Sequence, residues 1–286
     1  MKVAMIKYSQ SEYKSISQLI ECFGLKRDAY YKYQRRANRV NTTKETVLAM
    51  AKERRRDLPR EGGKKMYRAL KKEFLRRDIK LGRDGLYDIL REQEMLVTRK
   101  RSFVKTTNSY HRFHKYNNLI KDIKIHRSNQ VWVSDITYIR LTQGHCYLAL
   151  ITDVYSRKIV GYDVSNSLEL AGCLRALQNA MRQARHAQGL IHHSDRGLQY
   201  CSNQYVEQLK KHNINISMTE ENHCYENAIA ERVNGILKDE FYLDQNFANV
   251  ELARKASDNA IKLYNNKRLH LSLGYKTPNE VFQKGA

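Results

Sequence analysis

The chain has 286 residues, 41% of them hydrophobic, so it is long enough for about two domains and apolar enough for a packed core, which excludes a disordered chain. Its 52 Lys and Arg outnumber its 30 Asp and Glu, for a net charge of +22. No apolar run reaches the ~18 residues of a membrane span, no signal peptide opens the chain, and the five cysteines form no CxxC pair of a zinc site. We therefore expect a protein of the reduced cytosol with no membrane partner.

The positive charge is concentrated in the front half of the chain. Residues 1–127 carry 34 basic and 14 acidic residues, a net of +20, whereas residues 128–286 carry a net of +2. Because each phosphate that Lys or Arg neutralises releases counterions, this pattern predicts a nucleic-acid partner that is held by the front half. The alternative is a generally soluble basic protein, such as a ribosome-associated chain.

The first predicted elements are two short helices in residues 13–36, separated by a break at Phe23-Gly24-Leu25. This layout is typical of a helix-turn-helix, so residues 1–42 are predicted to be a DNA-binding segment; an ordinary helical hairpin is the alternative. The second helix would direct a set of basic side chains toward a groove: Lys26, Arg27, Lys32, Arg35 and Arg36.

Further helices are predicted in residues 43–98, which we interpret as a second helical DNA-binding domain. The first of them ends at Pro59, and apolar residues at helical spacing mark the other two. Those predicted core positions are Met66, Leu70, Phe74, Leu86, Ile89 and Leu90. Residues 99–127 hold nine basic residues and one acid, which predicts a basic linker or arm with aromatic rings available for stacking.

The pattern changes after residue 128, where runs of β-branched and aromatic residues appear. Three hairpin-linked strands, followed by helices that alternate with two more strands, predict an α/β fold with a mixed five-stranded sheet flanked by helices. We expect this domain to span residues 128–245 and a helical tail to span residues 246–286. The predicted strands lie in 131–141, 146–152, 158–164, 190–195 and 214–219.

Three acids stand out by position in this domain. Asp135 lies inside the first strand, where a free carboxylate is costly, and Asp195 terminates the fourth strand. If those strands are neighbours, the two acids are close together, and a helix that crosses the same face could bring Glu231 within reach. Crowded carboxylates repel one another unless cations are present. Two Mg²⁺ or Mn²⁺ ions about 3.5–4 Å apart would relieve that repulsion and clamp a phosphodiester in an in-line displacement.

Each acid also has an ordinary explanation when it is considered alone. Asp135 could cap a turn or pair with Arg140, Asp195 could be a turn residue, and Glu231 could be an acid on a helix surface. A rival acid, Asp153, begins the DVYSR segment and is interpreted as a turn residue.

The segments around these acids resemble a known family. WVSDITYI, HSDRGLQY and CYENAIAERVNGILKDE, with the closing YNNKRLHLSLGYKTPNEVF, resemble the DDE transposases of bacterial insertion sequences, specifically the OrfB product of the "IS three" family. The resemblance covers residues 128–282 strongly and the helical front, including GGKKMYRAL, moderately. It implies a retroviral-integrase-like RNase H fold. Thirty-five residues separate Asp195 from Glu231, the spacing typical of that group, and a basic residue follows the glutamate by seven, here Lys238.

The resemblance also implies a reaction and a set of roles. The enzyme would cleave DNA at element ends, freeing a 3′-OH that then attacks a second phosphodiester in the same pocket. The three acids would bind metal, and Lys238 would position DNA because it shares a helix face with Glu231. Further expected DNA contacts are Arg196, His193 and Asn227, for which structural hydrogen bonding or core packing is the alternative.

Several expectations concern partners and location. The resemblance implies double-stranded DNA, both terminal inverted repeats and target, homo-oligomers on that DNA, and a bacterial, nucleoid-associated setting in the cytoplasm. Family members are often fused to an upstream-frame segment, so we expect this chain to be the downstream product or the shorter form, with such a protein as a possible partner. Two other functions stay open: a DNA-binding regulator without chemistry, and a metal-dependent nuclease of the same fold that never joins strands.

Overall fold

The computed structural model describes residues 24, 26–98, 113–184, 188–220 and 228–285. These residues divide between two compact units, Met1–Glu53 with Lys72–Met95, and Arg54–Lys71 with Leu96–Ala286. This division differs from the domain boundaries that the sequence predicts, which place residues 43–98 in one domain. Those boundaries describe functional domains and stay a prediction. No helix of the described residues is long and apolar enough to cross a membrane.

Three helices make up the described front of the chain: α1 (Arg27–Asp57), α2 (Gly63–Arg76) and α3 (Arg83–Glu92). The helix expected after the Phe23-Gly24-Leu25 break and the helix expected from residue 43 are parts of the single 31-residue α1. Its partner in the predicted helix-turn-helix lies outside the described residues. The six predicted core positions of this region are all buried, which confirms the helical spacing on which they depend.

A five-stranded mixed sheet forms the centre of the second unit. Its strands are β1 (Val131–Arg140), β2 (His145–Asp153), β3 (Ile159–Ser165), β4 (Ile191–Ser194) and β5 (Asn215–Met218). The spatial order is β3-β2-β1-β4-β5. The first three strands pair antiparallel, as short turns between them require, while β4 and β5 run parallel to β1. The predicted mixed sheet and its element order are confirmed.

Helices cover both faces of the sheet. They are α4 (Leu170–Gln183), α5 (Leu198–Cys201), α6 (Asn203–Lys211), α7 (Ala228–Glu240), α8 (Val250–Asn266) and α9 (Pro278–Lys284). Alternation along β1 separates the two faces. Trp132 packs in one apolar cluster with residues of α4 and α6, whereas Val131 and Val133 cluster with Ala230 of α7. Asp135 continues the second series, so it lies on the face that α7 covers.

Candidate active site

The register of the sheet places Asp135 and Asp195 side by side. β1 and β4 are parallel neighbours in which Ser134 is opposite Ser194, and each aspartate is the next residue of its strand or strand end. Neighbouring strands lie about 4.8 Å apart, so the two backbones present their carboxylates from adjacent positions. The condition on which the proximity of the two acids depends, the adjacency of the first and fourth strands, is therefore met.

The carboxyl group of Asp135 has a pKa raised to about 7. Burial is the largest cause, because a charged carboxylate loses its hydration there, and the charge of Asp195 is the second. The charge of Glu231 adds a smaller rise. Two hydrogen bonds lower the pKa of Asp135. Asn234 Nδ2 donates to Asp135 Oδ2 at 2.7 Å, and the Ile136 N–H donates to Asp135 Oδ1 at 2.9 Å. The three acids therefore share one electrostatic environment.

Helix α7 carries two of the predicted site residues, Glu231 and Lys238. Glu231 lies in its first turn and is exposed, and Lys238 lies in its last turn and is half-buried. Burial lowers the pKa of Lys238, while the nearby Asp135 carboxylate raises it. The lysine therefore lies within electrostatic range of Asp135.

Asn234 is the residue that the sequence interpretation missed. It follows Glu231 by one helical turn, is only 6% exposed, and its amide nitrogen holds Asp135. Its amide oxygen is buried with no hydrogen-bond partner among the described residues. The available signal was the helical spacing of three residues from Glu231, which predicts a shared face. Asn227, which the sequence offered for a similar role, lies outside the described residues.

The Asp195 carboxylate is held by the tight turn that follows β4. The Gly197 N–H donates to its Oδ1 at 3.1 Å. A Cβ added at Gly197 would lie 2.9 Å from that same oxygen, a distance that real Cβ atoms do not show. A glycine is thus required at this position to leave the carboxylate where it is.

Behind the two aspartates, buried hydrogen bonds fix the strands. The Ser134 Oγ and the Tyr205 hydroxyl lie 2.7 and 3.0 Å from His192 Nε2, and burial lowers the pKa of this histidine to about 3, so the ring is neutral. The neighbouring His193 is fully buried, with Nδ1 2.8 Å from Ser217 Oγ. The predicted phosphate contact of His193 is wrong for this structure, because a ring without exposed surface cannot reach DNA.

Two alternative interpretations of the acids are also decided by contacts. Asp153 accepts hydrogen bonds from Ser156 N and Oγ and from Asn129 N, so its interpretation as a turn residue is confirmed. Asp135 forms no ion pair with Arg140 within the described residues, and its hydrogen bonds come from Asn234 and Ile136 instead.

The remaining predicted DNA contacts lie at the surface. Arg196 is half-buried in the loop after β4. The five basic residues of the front are all at least partly exposed, and Lys26 precedes α1 directly. Lys32 forms an exposed ion pair with Asp28 at 2.9 Å, which phosphate could replace because such pairs are weak.

The donor set fits a hard divalent cation. Asp135 and Asp195 supply carboxylate oxygens from adjacent positions, and their mutual repulsion is what a cation would remove. Over the described ranges, no three His, Cys, Asp or Glu side chains already form a metal cage. The exposed Glu231 side chain, with three rotatable bonds, would have to turn toward the pair to complete one.

The raised pKa of Asp135 predicts a specific dependence of stability on pH. Between the ordinary Asp pKa of about 4 and the folded value of about 7, the folded chain keeps a proton that the unfolded chain releases, so stability falls as pH rises through this window. Asp135→Asn replaces the carboxyl group with an amide that does not titrate in this range, so the variant lacks this pH dependence. In the presence of a chelator, we expect the free energy of unfolding of this variant to rise, relative to that of the parent chain, by on the order of 2–4 kcal/mol between pH 4 and pH 7. Urea unfolding at a series of pH values measures this; a difference that does not change with pH contradicts it.

Comparison with known proteins gives matches over the whole chain. The family model described as Integrase core domain matches residues 125–224, and a second model with the same description matches residues 212–278. The transposase InsF for insertion sequence IS3A of Escherichia coli K12 is 30% identical over 99% of both chains. An uncharacterized 31 kDa protein of insertion element IS600 from Shigella sonnei is 38% identical over 74% of this chain and 78% of its own.

Two viral proteins are among the solved structures that the comparison matches. The intasome of simian T-cell lymphotropic virus, in complex with a PP2A regulatory subunit, is 16% identical over 71% of this chain and 67% of its own, with a TM-score of 0.48. The catalytic core domain of the HTLV-2 integrase, in complex with magnesium, is 18% identical over 54% of this chain and 96% of its own, with a TM-score of 0.44.

Proposed function

Because the chain belongs to the transposase family of the IS3 insertion sequences, we propose that its DNA cleavage and strand transfer take place at a site formed by Asp135, Asp195 and Glu231. The chain is a transposase, an enzyme of the polynucleotidyl transferase type with an integrase core. The observation that supports this site most strongly is the parallel register of β1 and β4, which makes the two aspartates neighbours.

We infer that these three acids hold two Mg²⁺ or Mn²⁺ ions. Catalytic cores of the integrase type depend on divalent metal, and the carboxylate donors here, without cysteine, favour a hard ion over Zn²⁺. Bound there, such ions supply electrostatic stabilisation to the attacking and leaving oxygens of a phosphodiester. The Asn234 amide orients the Asp135 carboxylate through its hydrogen bond and lowers the pKa of that acid against the effect of burial, which favours the ionised form that a metal ion requires.

The chemistry consists of two displacements at phosphorus. In the first, water attacks a terminal phosphodiester, the new P–O bond forms as the bond to the 3′ oxygen breaks, and that oxygen leaves as a 3′-OH after it takes up a proton. In the second, this 3′-OH attacks a target phosphodiester, and one P–O bond again forms as another breaks. Lys238 and Arg196 are assigned to the DNA backbone beside the acids, because both carry a cation next to the site.

The partners follow from this reaction. The substrates are double-stranded DNA, namely the terminal repeats of the element and a target, and joining two ends requires more than one copy of the chain on DNA. We place the protein in the bacterial cytoplasm at the nucleoid, with an upstream-frame protein as a further partner. The basic front, residues 1–42 and 43–98, is assigned to gripping DNA because it carries most of the net charge.

The gripping role predicts a change in salt dependence. In the full chain, Arg27→Gln, Lys32→Gln and Arg35→Gln should together weaken DNA binding and reduce the slope of log affinity against log salt by about 1 for each phosphate that is no longer neutralised. Fluorescence anisotropy with duplex DNA between about 50 and 200 mM salt measures the slope. Lys255→Gln, which removes an exposed cation of α8, is the matched control. An unchanged slope in the triple variant contradicts the assignment.

A strand-transfer assay with a labelled 3′ end tests the function itself. The transposase predicts a labelled product joined to target DNA, in addition to the cleaved end. A nuclease of the same fold gives hydrolysis products alone, and a DNA-binding regulator gives neither. Supplying an end that is already cleaved separates the second displacement from the first, so a failure to join cannot be attributed to a failure to cut.

A further inference from the structure

Three cations surround the C-terminal end of α7, the helix that carries Glu231. They are Arg60, Lys65 and Arg268, and we call them the α7 clamp. Arg60 and Lys65 come from the front of the chain, about 175 residues away in sequence, yet they belong to the same compact unit as the sheet. Cations at the C-terminal end of a helix stabilise it, because they interact with the negative end of the helix macrodipole.

The centre of the clamp is Glu240, the last residue of α7. Arg268 Nη2 and Nε donate to its two oxygens at 2.6 and 2.8 Å, a bidentate pair, and Lys65 Nζ lies 3.1 and 3.2 Å from the same oxygens. Burial raises the pKa of Glu240, but the hydrogen bonds and charge of Arg268, together with Lys65, hold it below the usual range. The carboxylate therefore stays ionised and paired.

Arg60 acts on the residues where α7 ends. Its Nη1 donates to the Asp239 carbonyl at 3.1 Å, and its guanidinium lies 5.5 Å from the centre of the Tyr242 ring. Tyr242 has φ +61, the left-handed conformation that ends helices and usually requires glycine. Leu58, two residues before Arg60, is buried in one apolar cluster with Val233 and other residues of α7. The front segment thus contacts this helix through both charge and apolar packing.

These contacts hold one end of α7, while Ala230 near the other end packs on Val131 and Val133 of β1. The helix has 13 residues, and at 1.5 Å per residue it is a rigid rod of about 20 Å. Glu231 is in its first turn, opposite the clamp, and Asn234 is bonded to Asp135 between them. A shift or rotation of the clamped end would move the glutamate relative to the two aspartates.

We propose that Arg54–Lys71 is a positioning element of the catalytic site, in which Lys65, acting through Glu240, fixes α7 so that Glu231 faces Asp135 and Asp195. The inference rests on the proposed function of those acids. It also gives this basic segment a role other than DNA binding. Its charges resemble a phosphate-binding surface, but the Lys65 side chain is only 19% exposed and is paired with Glu240.

Divalent-ion binding by the full chain tests the positioning role without depending on activity. Electron paramagnetic resonance counts free Mn²⁺ and so gives its dissociation constant. Lys65→Met should weaken Mn²⁺ binding about 10-fold, in the range of outer-shell residues at metal sites, and Lys65→Arg should restore most of it. Lys64→Met is the matched control, because it removes one lysine charge from the exposed neighbouring residue. Its Mn²⁺ dissociation constant should stay within about twofold of that of the parent chain.

A double variant shows whether Lys65 acts through Glu231. If it does, Lys65→Met added to Glu231→Gln should weaken Mn²⁺ binding no further, because the affected ligand is already absent. Full additivity, or an unchanged Mn²⁺ constant in Lys65→Met alone, overturns the inference. If Glu231→Gln itself leaves Mn²⁺ binding unchanged, the proposed site fails instead, so the two failures are distinct.

Folding must be checked alongside, since the clamp is partly buried. Thermal unfolding in chelator identifies any variant that loses its structure. Should Lys65→Met not fold, Arg60→Gln takes its place, because Arg60 contacts the α7 terminus at the Asp239 carbonyl and the Tyr242 ring and is not hydrogen-bonded to the Glu240 carboxylate. Weaker Mn²⁺ binding in folded Arg60→Gln supports the inference, and unchanged binding overturns it.

Discussion

Asp135→Asn is expected to reduce DNA cleavage at least about 1000-fold, equivalent to about 4 kcal/mol of lost transition-state stabilisation. The substitution keeps the size of the side chain and its position beside Asn234, but it removes the negative charge that attracts a divalent cation. Because Asp135 lies partly buried beside Asp195, its substitution leaves Asp195 without the neighbouring carboxylate ligand. Single-turnover cleavage of a labelled terminal repeat measures the effect.

Asp195→Asn and Glu231→Gln should have effects of comparable size, since each removes one of the charges that act together on Asp135. DNA binding by all three variants should stay within a few-fold of the parent chain, because the acids repel rather than bind phosphate. Glu251→Gln, which removes an exposed carboxylate from α8, is the control and should cleave normally. Retained cleavage in any of the three variants would remove that residue from the site.

Asn234→Ala is expected to reduce cleavage about 10- to 100-fold, the usual effect of removing a residue that orients a metal ligand. The Asp135 oxygen loses its 2.7 Å hydrogen bond, so the pKa of the acid rises further and the carboxylate is free to rotate. The loss should shrink as pH or Mn²⁺ concentration rises, since both favour the ionised form.

Gly235→Ala provides the matched control for Asn234→Ala. It alters the adjacent residue of α7, a Cβ there would meet no atom within 4 Å, and alanine favours a helix. We expect full cleavage and slightly higher stability from this variant. Equal activity of Asn234→Ala and the parent chain at all pH values would show that the Asn234–Asp135 bond has no catalytic role.

The strands of the sheet were predictable because they depend on local patterns. Alternating apolar runs predict the five strands, whereas the adjacency of Asp135 and Asp195 was only a condition in the sequence interpretation, and the pairing of β1 with β4 fulfils it. Asp153 was also predictable, because it begins the DVYSR segment between two predicted strands and aspartate is common where turns begin. The strands and the Asp153 turn can be inferred from residues that are near one another in sequence.

The features that the sequence did not predict depend on contacts over long distances along the chain. His193 is adjacent to Asp195 in sequence, but its ring is bonded to Ser217 on β5, which no periodicity indicates. Asn234 resembles any polar residue of a helix until β1 is placed beside it. Lys65 resembles a DNA contact because its neighbours are basic, and only its pairing with Glu240 shows otherwise. Charge patterns report the sign of a surface but do not reveal which cations are already paired.

Anomalous scattering from a crystal soaked in Mn²⁺ tests the proposed site most directly. We predict manganese peaks within about 2.5 Å of carboxylate oxygens from Asp135, Asp195 and Glu231, with the Glu231 side chain turned inward from its exposed position. Peaks that contact none of these three residues, or a manganese site that persists unchanged in Asp135→Asn, would contradict it.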